Sequence, residues 1–100
     1  MVLIKVMKHK EGTVVAICDK NALGKVYRDE KYCLDLIRYR NFYEGEDAKT
    51  LDVKEVLKSA SSINAVGARS IKMLKENGFD VSNVKRIGKE RIEHLQVYLL

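Results

Sequence analysis

Hydrophobic and polar positions alternate from the first residues. Val2, Ile4 and Val6 fall on one side of an extended chain and Leu3, Lys5 and Met7 on the other, which predicts a strand over Val2–Lys8. Lys10-Glu11-Gly12 reads as a turn, and the β-branched run Thr13–Asp19 reads as a second strand completing a hairpin. Asp19 to Gly24 fits one helical turn closed by glycine. A short strand over Val26–Arg28, a charged turn at Asp29-Glu30 and a strand over Lys31–Ile37 follow.

Residues 38–50 carry no period and read as irregular chain. Asp52 then precedes Val53, Val56, Leu57 and Ala60 at helical spacing, and Glu55 completes a start resembling a capping box. Ser61-Ser62 breaks that helix. A second is expected over Ala65–Asn77, with Val66, Ser70, Ile71 and Leu74 inward and Asn77-Gly78 as its C-terminal cap. Asn83–Ile87 reads as a strand ended by Gly88. In the tail, His94, Gln96 and Tyr98 alternate with Leu95, Val97 and Leu99, and a final strand is the preferred reading.

These elements predict an α+β fold: a two-layer sandwich whose mostly antiparallel sheet of four to five strands carries two helices on one face. Residues 1–100 form a single domain, since a chain of this length supports one core. The strands pose a difficulty. If Val2, Ile4 and Val6 face the helices, then Leu3, Met7, Val15, Ile17 and Ile37 are expected to point the other way, where an open antiparallel sheet is normally polar. Either the sheet closes over a second core, or these five residues form an interface with a protein partner or a second copy of the chain.

Charge adds a second theme. The net charge is +5, divided as +2 over residues 1–50 and +3 over residues 51–100, so no basic arm stands out. Five of the seven aromatic residues nevertheless lie between Tyr27 and Tyr43. There, Arg38, Tyr39, Arg40, Phe42 and Tyr43 interleave guanidinium groups with rings. That mixture suits single-stranded RNA, where cations meet phosphates and rings stack on bases. The same residues also serve to anchor and solvate a loop. Weaker basic groupings occur at Lys54 with Lys58, at Arg69, Lys72 and Lys75, and around Lys85-Arg86.

Catalytic apparatus is not legible. Gly24-Lys25 lacks the remaining phosphate-loop residues, and Ser82-Asn83-Val84-Lys85 stands without the companion motifs of a serine nucleophile. Cys18 and Cys33 lie within apolar stretches, have no CxxC spacing and read as buried small hydrophobes. No metal site or cofactor is expected. No apolar run is long enough to span a membrane, and Lys5 and Lys8 interrupt the opening stretch before a signal peptide would form.

Several segments taken in order resemble one family. They are Cys18-Asp19 with Leu23-Gly24-Lys25, Phe42-Tyr43-Glu44-Gly45-Glu46, Ser62-Ile63-Asn64-Ala65-Val66-Gly67, and His94-Leu95-Gln96. The family is a small archaeal one known as domain of unknown function four hundred and twenty-four. The resemblance implies a cytoplasmic archaeal protein and a compact α+β sandwich, and brings no catalytic residue with it. The chain departs from the family pattern at Glu93, where members carry Pro before the His. Asn64, Gly67, His94 and Gln96 are the candidates for a polar site. The expected function is RNA or ribonucleoprotein association without catalysis, with the protein interface as the alternative.

Overall fold

The opening alternation folds into the expected hairpin in the computed structural model, which describes residues 1–99. Strand β1 (Val2–His9) pairs antiparallel with β2 (Gly12–Asp19), placing Ile4 opposite Ile17 and Val6 opposite Val15. After a single 3-10 turn over Lys20–Ala22, β3 (Val26–Arg28) and β4 (Cys33–Asp35) form a separate two-stranded hairpin. The stretch without periodicity contains a short helix α1 (Arg40–Tyr43) and a two-residue strand β5 (Glu46–Asp47). β5 covers β1 only at Leu3 and Ile4.

Helix α2 (Val53–Ser59) starts where the pattern predicts it. Asp52 Oδ1 accepts from the Glu55 amide at 3.3 Å, satisfying a backbone donor that the first helical turn leaves open. The next element differs from expectation. Ser62–Val66 is a strand, β6, and helix α3 occupies only Ala68–Glu76. Gly67 separates the two with φ +104°, a left-handed conformation that glycine adopts without steric cost. Val66, assigned to the helical stripe by spacing, is therefore a strand residue. Strands β7 (Lys85–Ile87) and β8 (Ile92–Tyr98) complete the chain, the latter agreeing with the extended reading of the tail.

The main sheet has six strands in the order β5-β1-β2-β6-β8-β7. The β2–β6 pairing is parallel and the other four are antiparallel, so the sheet is mixed and larger than the predicted four or five strands. A parallel pairing needs a long crossover, and the chain between β2 and β6 supplies it.

That crossover resolves the difficulty posed by the two-faced strands. On one side, Ile4, Val15, Ile17, Ile63, Ala65 and Leu95 pack with Leu57 and Ala60 of the α2 region and with Ile71 and Leu74 of α3. On the other, Ala16, Cys18 and Val66 pack beneath Tyr27, Leu34, Leu36 and Tyr43 from the β3–β4 hairpin, the following turn and α1. Helices α2 and α3 thus pack against one core, and the opposite face is covered by the chain itself, including the third helix α1.

The proposed interface set is corrected accordingly. Val15 and Ile17 lie opposite Val6 and Ile4, so they share the helix-facing side; both are fully buried. Leu3 is buried, Met7 packs at the edge of the second cluster, and Ile37 stands exposed in the turn after β4. No single surface contains all five. Cys18 is buried as expected, whereas Cys33 is exposed.

One polar contact joins the two ends of this arrangement. The Asp19 side chain, at the end of β2, accepts from the Ser70 amide (2.8 Å), the Ser70 hydroxyl (2.7 Å) and the Arg69 amide (3.1 Å). Gly67 offers α3 no capping side chain, so the carboxylate of a residue distant in sequence caps it instead. Any Cβ at position 67 would overlap that carboxyl group. Among the described residues, Asp19 and Ser70 are the two buried polar ones, and each satisfies the other.

Two outcomes follow. Asp19→Ala leaves the Ser70 hydroxyl and the first-turn amides without their acceptor, and urea denaturation should register a loss of about 2–4 kcal/mol. Burial, with the Asp19 charge a lesser cause, pushes the Cys18 thiol up to about 12. A thiol-specific reagent should therefore label Cys33 at once and Cys18 only on unfolding; rapid labelling of both would contradict the packing of the second face.

Candidate functional site

The strands that build the second face also carry polar side chains on it. Along β6, Asn64 lies between Ile63 and Ala65 and so points away from the helices; Gln96 on β8 is its direct cross-strand partner. His94, two residues before Gln96, shares that side. Three of the four residues singled out from the sequence thus meet on one patch of sheet, and α1 brings Tyr43 over them.

A single amide oxygen organises the group. Tyr43 donates its hydroxyl hydrogen to Asn64 Oδ1, and His94 Nε2 lies 3.0 Å from the same atom. An amide oxygen only accepts, so the imidazole carries its proton on Nε2 and leaves Nδ1 with a free lone pair. Desolvation, reinforced by Lys85, holds the His94 pKa below its ordinary 6.5. Lys85 sits directly opposite His94 on β7. Desolvation likewise raises the Tyr43 hydroxyl, with Cys18 a smaller cause, so it remains a neutral donor.

These groups floor a cavity of about 330 Å³ lined by Cys33, Leu34, Asp35, Tyr39, Phe42, Tyr43, Asn64, His94 and Gln96. Sequence spacing gave no sign that titratable side chains converge, and here Cys33, Asp35, Tyr39, Tyr43 and His94 share one opening. Asp35 has a second role. Its Oδ1 accepts from the Ile37 and Arg38 amides at 3.0 and 2.9 Å, folding the turn that carries Tyr39 to the cavity. An Asp closing a strand and followed by an unpatterned run is a turn signal that the sequence does display. Cys33 and Leu34 had no such marker. Among the described residues, no three His, Cys, Asp or Glu side chains converge as metal ligands.

The Arg and aromatic stretch is divided by the fold. Tyr43 is buried, and Phe42 is half-buried, its ring edge-on to Tyr43 with centroids 4.9 Å apart. Arg40 is paired with Glu44 through two contacts of 3.1 and 3.3 Å. Tyr39 remains 51% exposed, and the Arg38 guanidinium lies 5.5 Å from its ring centroid. Among the described residues, no carboxylate comes within ion-pair distance of Arg38. Gly67 does not join this site; it lies at the start of α3 against Asp19. His9 ends β1 and is exposed.

The depressed His94 pKa has a defined effect on stability. Unfolded chain takes up the proton at the ordinary value of 6.5, whereas the folded site resists it. Stability is therefore full above that value and falls as pH drops below it. The urea midpoint should decline as pH is lowered through this range, and His94→Gln should flatten the decline; parallel curves for the two proteins would refute the assignment.

Among the described residues, no helix is long and apolar enough to cross a membrane. No curated protein matches the chain. A solved structure, that of an uncharacterized conserved protein from Methanopyrus kandleri, matches over 99% of this chain and 91% of that one with a TM-score of 0.79. Its sequence identity of 22% makes this a likeness of fold. The model of a protein family of unknown function, DUF424, matches residues 7–100, nearly the whole sequence, and the chain belongs to that family.

Proposed function

We propose that the protein binds single-stranded RNA and takes one unpaired base into the cavity beside Tyr39. The cavity itself carries the reading. At about 330 Å³ it falls near the lower end of the roughly 300–1,000 Å³ range of small-molecule pockets, suited to one compact planar ring. Its walls offer aromatic faces from Tyr39 and Phe42, and its floor offers the amide and imidazole groups that read base edges. Arg38 stands beside Tyr39, and Lys85 beside His94 with its ammonium 5.7 Å from the Tyr32 ring centroid. Two cations near residues of the cavity support a reading in which phosphates accompany the inserted base. The surplus of +5 supports the same partner.

Binding of a labelled mixed-sequence oligoribonucleotide should weaken log-linearly as salt rises. Arg38→Ala should reduce that slope by about 0.7, the share of one single-strand phosphate. Tyr39→Ala removes a stacking platform worth about 1–3 kcal/mol per base and should weaken binding at every salt concentration. Absence of binding at low salt would end the proposal.

A further inference from the structure

We propose that Tyr98 is a second base-stacking platform, taking the nucleotide next to the one held in the cavity, so that two neighbouring unpaired bases of one RNA strand lie along β8. The inference rests on the RNA-binding reading above and adds a residue and a path outside the cavity.

Strand alternation gives the placement. Leu95 and Val97 pack with the helix-facing core, so His94, Gln96 and Tyr98 all project from the opposite face. Exposure rises along that row. His94 is half-buried and Gln96 exposed, both lining the cavity, and Tyr98 is 74% exposed. The row therefore leads from the cavity wall to open surface. Ser62, the cross-strand partner of Tyr98, is too small to cover its ring. Among the described residues no ring or cation lies against Tyr98, whereas Tyr32 and Tyr39 each have a cation over the ring. An uncovered aromatic face on a sheet is a surface on which a base stacks. Tyr98 lies about 7 Å along the strand from Gln96, two residues at about 3.4 Å each. A nucleotide in a stacked helix advances only about 3.4 Å, so neighbouring bases reach both positions when splayed apart. Unpaired RNA allows this and a duplex does not.

Three RNA oligomers of equal length and phosphate number would be compared on the full chain. One is entirely abasic, one carries a single uracil, and one carries two adjacent uracils. A stacked base is worth about five- to a hundredfold in affinity. For the unaltered protein the second uracil should add an increment within this range. Tyr98→Ala, with folding checked by circular dichroism, should abolish that increment and leave the single-uracil oligomer bound as before. Tyr98→Trp supplies an independent readout, since the chain contains no tryptophan. Its emission should be quenched by the two-uracil oligomer and unaffected by the abasic one, and this readout decides the matter if the alanine variant fails to fold.

Equal binding of the one- and two-uracil oligomers by the unaltered protein would overturn the inference while leaving salt-dependent RNA binding intact. So would retention of the increment in a folded Tyr98→Ala, or a tryptophan that the two-uracil oligomer does not quench. Failure of every RNA at low salt, the mixed-sequence oligoribonucleotide included, would instead remove the reading on which the inference rests, and the inference with it.

Discussion

The carboxylate of Asp19 is the contact on which the rest of this architecture depends. It ends β2 and simultaneously caps α3, the helix that follows β6. The two strands it links form the one parallel pairing of the sheet, with Cys18 beside Val66 immediately before the contact. Parallel strands have no tight turn to set their alignment. Here a charge-assisted hydrogen-bond cluster, made within the buried interior, does so. Slippage by one residue would part Asp19 from the first-turn amides and bury the charge unmatched, a costly outcome.

Alignment matters because the two faces of β6 and β8 have different tasks. Ile63, Ala65, Leu95 and Val97 meet the helices, while Asn64, His94 and Gln96 meet α1 and the cavity. A strand shifted by one position exchanges these sets wholesale. The stability of the fold and the chemistry of the cavity are therefore fixed by the same register. Tyr43 shows the coupling at one residue: its ring completes the second core and its hydroxyl orients Asn64.

Much of this was legible along the chain, for local reasons. The β1–β2 hairpin follows from uninterrupted alternation across a glycine turn, α2 from the spacing of Asp52, Val53, Val56 and Leu57, and β8 from the alternation after Ile92. β6 escaped because its five residues run into a helical pattern, and the break between them is one backbone angle at Gly67. The cover on the second face escaped for a different reason. Tyr27, Leu34 and Leu36 lie in strands or turns of a few residues, and their destination is a distant sheet. The site divides in the same way. Asn64, His94 and Gln96 were marked by family likeness, but their meeting with Tyr43 depends on contacts spanning 21 and 30 residues. No local period encodes such contacts.

The brevity of β5 has a further consequence. Because it stops at Ile4, the remaining rim of β1 is left unzipped, and such a rim invites strands from other molecules to add on. Lys5 and Lys8 stand along that rim, and Lys5 is turned onto the Asn41 carbonyl. At the opposite rim, β7 is three residues long and bears Lys85 and Arg86. Charged side chains on such rims make the addition of a further strand costly. Part of the cationic surplus thus lies along the unpaired strand rims, where charge disfavours edge-to-edge addition.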